Sequence, residues 1–255
     1  MRDDLAGIDD RDWIMVLKLE RVAKTHVVGH REKKTLRDVT LRLSAGDVVG
    51  VYGNHRSGKS TLLRIAAGLE RPDSGEVLVA GTNLATLSRA QLGALRLNDI
   101  GLVGASGPHT TELSVIEYVA FPLFGRYKRR EARARAVAAL RRVGAEDCLG
   151  ATWRQLSDCE RALVSLAHGL ARSPALLLVD DVMSGLNALQ QDEITKLLMT
   201  AARNERLAVL VASSSMNALV GTHESYDLSD GVLKPISVPA AADVVTLAGR
   251  RDETA

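Results

Sequence analysis

The stretch Gly53-Asn54-His55-Arg56-Ser57-Gly58-Lys59-Ser60-Thr61 fits the spacing G-x-x-x-x-G-K-[ST], and those residue types in that order suit one task, holding a polyphosphate. Turning through Gly53 and Gly58 lets backbone N–H groups point at phosphate oxygens, and a helix starting just after them adds its positive N-terminal dipole. Lys59 is placed to reach β- and γ-phosphates, and the Ser60 hydroxyl is a ligand for Mg²⁺. Such a metal needs a carboxylate as well. The run Ala175-Leu176-Leu177-Leu178-Val179-Asp180-Asp181 supplies one: Asp180, leaving a buried strand beside the loop, would hold Mg²⁺ directly or through water.

These groups have to be positioned by a strand before the loop and a helix after it. Asp47-Val48-Val49-Gly50-Val51-Tyr52 is short, apolar and β-branched, and Leu62, Leu63, Ile65, Ala66 and Ala67 lead to Gly68 as a helix end. The wholly apolar run before Asp180 reads as an internal parallel strand covered on both faces. A helix carrying Leu189, Ile194, Leu197, Leu198 and Ala201 and a strand from Leu207 to Ala212 continue the alternation. Upstream, Trp13 to Val22 and Leu36 to Leu43 predict an antiparallel pair with a basic turn at Gly29 to Lys34. Pro72-Asp73-Ser74-Gly75 turns into a strand at Glu76 to Ala80, Ser88 is a cap for a short helix, and Ile100 to Val103 is a further buried strand. From Ser106 to Gln155 the apolar period becomes helical, in Ser114 to Gly125 and Arg129 to Val143, which predicts an inserted helical subdomain. Its second helix bears Lys128, Arg129, Arg130, Arg133, Arg135, Arg141 and Arg142, a basic face that is either simply solvated or turned to a membrane or RNA, the solvated face being the plainer reading.

The whole composition agrees with an α/β chain of this kind. At 255 residues, 46% hydrophobic and 25% charged, it can bury a real core, and with 3% aromatic residues that core rests on aliphatics. A net charge of +2 argues against nucleic acid as the main partner. The acidic start, Asp3, Asp4, Asp9, Asp10 and Asp12, is the opposite of a secretory signal, and no apolar run approaches the length of a membrane span. Cys148 and Cys159 form no disulfide framework or metal spacing, so a reduced cytosolic setting is expected.

Taken together, the motifs resemble the ATP-binding subunit of an ABC transporter over Trp13 to Ile236, leaving 237–255 as a surface tail and about 106–157 as the helical subdomain. The resemblance implies a P-loop NTPase (RecA-like) core with an antiparallel β subdomain and an inserted α-helical subdomain. It makes Gly53 to Thr61 the Walker A loop, Leu176 to Asp180 Walker B, Leu156-Ser157-Asp158-Cys159-Glu160-Arg161 the signature, and Ser184-Gly185-Leu186-Asn187 the D-loop. The segment Glu112 to Leu123 looks like the lipoprotein-release, macrolide-export and cell-division branch.

The resemblance implies ATP and Mg²⁺ as cofactors. The partners it implies are a membrane permease and a second ATP-binding subunit, identical or not, and the place is the cytoplasmic face of the membrane. In the family two subunits close head to tail, so each ATP lies between one chain's phosphate loop and the other's signature helix. The catalytic positions match less well than the phosphate loop. Asp181 stands where the family usually has Glu, Ser214 at the switch-histidine position, and Ala105 in place of the Q-loop glutamine. His26 stands about where an aromatic residue stacks on adenine; its imidazole can do the same, and a solvated histidine at a strand end is an equal reading. Asp158 and Cys159 replace signature glycines, and Ser157-x-x-Glu160 is a capping box that would satisfy the helix's N–H groups internally. Two unit charges at 4 Å repel by about 4 kcal/mol at an effective dielectric near 20, so Asp158 opposes a γ-phosphate. The expectation is MgATP binding with impaired hydrolysis and docking through Ser106 to Leu123, with Glu112 and Tyr118 at the contact. Alternatives are a working ATPase with Asp181 as base, and a soluble ATP-binding regulator.

Overall fold

The computed structural model describes residues 15–29, 31–104, 107–108 and 112–238. Ala105, Ser106, Trp13 and the tail beyond residue 238 lie outside the described residues.

Two sheets form the scaffold. The first is antiparallel, in the order β2-β1-β4-β5, from β1 (Met15–Val28), β2 (Arg31–Ser44), β4 (Ser74–Val79) and β5 (Thr82–Asn83). Here the structure corrects the expected basic turn. Val28 already pairs with Arg31, so Glu32, Lys33 and Lys34 belong to β2, and the connection is a tight one at Gly29 with φ 64°. Charged residues on both strands hid the continuation from an apolar pattern.

The second sheet runs β10-β9-β3-β8-β7-β6. Its members are β3 (Val48–Tyr52), β6 (Ile100–Gly104), β7 (Leu176–Asp180), β8 (Ala208–Ser213), β9 (Glu224–Ser229) and β10 (Val232–Ile236). β3, β8, β7, β6 and β9 are mutually parallel, and β10 closes the edge antiparallel to β9. Parallel register sets the chemistry. Tyr52 pairs with Ser213 and Asp180 with Ala212, so the ends of β3, β7 and β8 reach the same edge.

Among the described residues, six α-helices pack on these sheets: α1 (Lys59–Ala66), α2 (Arg89–Asp99), α3 (Val115–Ala120), α4 (Arg129–Arg142), α5 (Asp158–Leu170) and α6 (Ala188–Glu205). Two aliphatic clusters result. One joins α1 to both sheets through Leu62, Leu63 and Ile65, each about 1% exposed or less. Burying each is worth about 1.5–3 kcal/mol, which anchors the helix that opens at the phosphate loop. The other joins the α3–α4–α5 unit to the opposite face of the parallel sheet. Ser88 caps α2 with a full capping box to Gln91, as its sequence predicts.

Candidate functional site

The phosphate loop leaves β3 at Gly53 and enters α1 at Lys59. Gly58 has φ 113°, and a Cβ there would stand 2.8 Å from the Thr35 carbonyl oxygen, so glycine is required by both conformation and space. Arg56 also has a positive φ, 63°, which a non-glycine residue adopts at a cost. α1 has no side-chain N-cap and no acidic residue in its first turn. Its first N–H groups and its dipole therefore remain available to an anion.

Lys59 is 6% exposed. Its Nζ donates to the Gly53 and Asn54 carbonyls at 2.6 and 3.1 Å, which arches the loop around the ammonium. Burial pushes its pKa down, opposed by the charges of Asp181 and Asp180. Ser60 Oγ donates to Asp180 Oδ1 at 3.1 Å, so the two expected metal ligands are adjacent. Burial, with the neighbouring Asp181 charge, pushes the Asp180 carboxyl up, and the Ser60 bond and the Lys59 charge act against this. A hydroxyl and a carboxylate, both oxygen donors, suit Mg²⁺.

These residues line a cleft of about 1070 Å³, together with His26, His55, Arg56, Ser57, Gly58, Thr61, Gly104 and Asp181. Its remaining wall, Glu32, Lys33 and Thr35, comes from the continued β2, of which the sequence pattern placed Glu32 and Lys33 in a turn. His26 is fixed: Nδ1 lies 3.0 Å from Thr35 Oγ1 and Nε2 2.6 Å from Glu70 Oε1. Glu70 sits 3.8 Å from the Lys24 ammonium and 3.6 Å from the Arg64 guanidinium as well. Glu70, a lone acid after α1 in sequence, carried no signal that it would orient His26.

Asp181 has φ 52°, and its N–H donates to the Ala212 carbonyl at 2.9 Å. Ser214 donates its N–H to Asp181 Oδ1 and approaches both carboxylate oxygens with its hydroxyl, all at 3.1 Å. Asp181 and Ser214 thus bind each other. Behind them, Gln191 is 5% exposed; its Nε2 donates to the Met183 and Leu186 carbonyls at 3.3 and 2.8 Å, and its Oε1 accepts from Ser215 Oγ at 2.8 Å. Gln191 ties the Ser184–Asn187 turn to the serine segment. Sequence reasoning missed it because a glutamine within a helix pattern reads as exposed.

The Ser157–Glu160 segment does not line this cleft. It starts α5, where Ser157 Oγ accepts from Glu160 N–H at 3.4 Å and Glu160 Oε2 accepts from Ser157 N–H at 2.8 Å. The Ser157 hydroxyl also donates to Oε2 at 2.7 Å, and these bonds hold the Glu160 carboxyl below its usual range. Asp158, 72% exposed, pairs with Arg161 at 3.1 Å, which offsets part of the repulsion expected from its charge. Cys159 is half-buried against the helical cluster. Nearby Trp153 is 7% exposed, its ring 5.2 Å from that of Tyr118, with Gly107 so close that a Cβ there would overlap the indole. Trp153, Asp158, Arg161 and Ser184 share a small cavity of about 200 Å³.

Residues 36–184, more than half of the chain, match the ABC transporter family. The chain belongs to that family. It is an ABC transporter ATP-binding subunit of P-loop NTPase fold. The lipoprotein-releasing system ATP-binding protein LolD of Maricaulis maris is 34% identical over 226 residues, covering 88% of this chain and 98% of its own. Its counterpart in Alcanivorax borkumensis is 30% identical over 220 residues, covering 86% and 96%. Among solved structures, the ATP-binding cassette MJ0796, described as dimeric and bound to ADP and Pi after hydrolysis, superposes with a TM-score of 0.79 at 27% identity. That likeness covers 88% of this chain and 99% of the cassette. Of the three kinds in the branch that Glu112 to Leu123 resembles, this ABC subunit is thus similar to the lipoprotein-release one.

Proposed function

We propose that this subunit binds MgATP between its phosphate loop and Walker B, docks on a membrane permease, and hydrolyses ATP slowly. ATP binding follows from the family and from the cleft, where uncapped α1, Lys59, Ser60 and Asp180 converge. Ser60 and Asp180 would hold Mg²⁺, which neutralises charge on the β- and γ-phosphates. Lys59 orients the same phosphates, and Arg56 and His55 line their approach.

The observation that carries slow hydrolysis is the Asp181–Ser214 pair. Aspartate is one methylene shorter than glutamate, and here it is drawn toward the serine. A base misplaced by about 1 Å loses on the order of a hundredfold in rate. Ser214 cannot extend an imidazole toward a γ-phosphate. Steady-state ATPase, measured with the reconstituted permease, should remain on the order of 100-fold below that of the same assembly carrying a complete set of water-activating and signature groups. Equal turnover would refute slow hydrolysis and leave a working ATPase with Asp181 as base.

Two such subunits would close head to tail, the second being another copy or a different cassette; no nucleic acid partner is involved. The names of the relatives support a permease of the lipoprotein-release kind. Residues 13–236 would form the ATP-binding unit, with 106–157 as the part meeting the permease at the cytoplasmic face of the membrane. Among the described residues no helix is long and apolar enough to cross it. Tyr118 faces inward, stacked on His168 with ring centroids 4.4 Å apart, so it is unsuited to contact a partner. Phe121, 69% exposed, is the better contact. A photocrosslinker at Phe121 or Glu112 should capture the permease in cells, and failure at both positions overturns docking through this segment.

A further inference from the structure

Next to the nucleotide cleft is a smaller cavity of about 270 Å³, walled by β2, the phosphate loop and the turn between β9 and β10. Four cationic side chains line it, Lys33, Lys34, Arg37 and Arg56, against two carboxylates, Glu32 and Asp230. Among the described residues none of these four cations makes an ion pair. The lining therefore carries a surplus of two positive charges, its cations coming from β2 and the phosphate loop and its carboxylates from β2 and the β9–β10 turn.

The walls are tied together. Arg37 N–H donates to the Gly231 carbonyl at 2.7 Å, fixing the β9–β10 turn to β2. Lys33 Nζ donates to the Arg56 carbonyl at 2.7 Å, fixing β2 to the phosphate loop and leaving two ammonium protons. Gly231 has φ 80°, and a Cβ there would stand 3.1 Å from the Thr35 carbonyl oxygen, so the turn packs tightly under the cavity. Ser57, which lines both cavities, has a buried Oγ with no hydrogen-bond partner among the described residues.

We propose that this cavity is a second anion site taking a phosphate group while nucleotide occupies the cleft. A surplus of two charges matches a phosphate dianion, and arginine forks with lysine point charges are the side chains that recognise one. The site stands without the nucleotide reading, but Glu32, Lys33, Arg56 and Ser57 wall both cavities, so occupancy of one is felt by the other.

Lys34 and Arg37 line only the smaller cavity and are exposed on β2, so their replacement leaves fold and cleft intact. Inorganic phosphate titrated into the full chain, with and without saturating MgADP, is read by ³¹P NMR. Wild type should bind it saturably with MgADP present. Lys34→Ala with Arg37→Ala should weaken it by about tenfold or more, with MgADP affinity unchanged. Asp230→Asn, tolerated at φ 50°, should tighten it by about twofold or more because it removes a facing carboxylate. Glycerol 3-phosphate bound through the same residues extends the site to phosphomonoesters, and phosphate bound alone restricts it to the free ion. No saturable phosphate binding, binding unchanged in the double variant, or one-for-one competition with MgADP overturns the proposal. If MgADP does not bind at all, dependence on Lys34 and Arg37 in the nucleotide-free titration still decides it.

Discussion

Two helices of this protein begin where phosphate chemistry is expected, and they begin differently. α1 opens without a side-chain cap and without an acid in its first turn, whereas α5 opens on a complete capping box with Asp158 and Glu160 in its first turn. Each helix N-terminus has N–H groups that need a partner. At α1 a bound anion can be that partner. At α5 the chain supplies its own, and the dipole that would attract a phosphate is already met by two carboxylates. Binding and helix stability therefore trade against each other, and this chain resolves the trade in opposite ways at its two ends. The Asp181–Ser214 pair repeats the α5 solution with side chains.

The largest effect should come from breaking the open end. Lys59→Ala removes the buried ammonium that the loop encircles, and calorimetry should register a loss of MgATP affinity of on the order of 100-fold or complete loss. Unchanged affinity in a folded variant would mean that the loop does not hold phosphate.

Next is repair of the closed ends. Asp181→Glu with Ser214→His restores the water-activating groups alone, and turnover at saturating ATP should stay well below that of a variant that adds Asp158→Gly and Cys159→Gly. The combined gain should exceed the product of the separate gains, because groups that act as a unit are not additive. Full activity from the Asp181, Ser214 pair alone would acquit the signature helix.

A smaller effect sharpens the contrast in stability. Ser157→Ala removes the cap of α5 and should cost about 1 kcal/mol, read as a fall in Tm of about 2–4 °C. No such cap exists at α1 to remove.

The smallest concerns pH. The Asp180 carboxyl is pushed up by burial and by Asp181. A raised acid pKa favours the folded state below the ordinary aspartate range, and that contribution is lost as pH rises through the folded value. Asp180→Asn should therefore raise the Tm of the nucleotide-free protein by about 1–2 °C at neutral pH and progressively less toward pH 4, while it weakens Mg²⁺-dependent nucleotide binding. A Tm gain independent of pH would remove the electrostatic explanation.

Much of this site was legible in the sequence because its parts are local. The phosphate loop is nine consecutive residues, β7 is a wholly apolar run ending in Asp180, and the Ser157 and Ser88 caps each lie three residues from their partners. The β9–β10 hairpin was not legible: Glu224–Ser229 has only Ser225 and Leu228 buried, so it shows no apolar alternation. Nor were pairings across long sequence distances. His26 with Glu70, Asp181 with Ser214, and Gln191 with Ser215 are polar contacts made where separate elements meet. Composition has no means of announcing them.

Trp153 gives the molecule an optical handle. The chain has two tryptophans, and Trp13 lies outside the described residues, so Trp13→Phe leaves Trp153 as the single indole. That indole is 7% exposed and shares its cavity with Asp158, Arg161 and Ser184. Any separation of the α5 start from the D-loop turn admits water to the ring, and its emission should move to the red. Any such separation can then be followed in real time by stopped-flow fluorescence, without an attached dye.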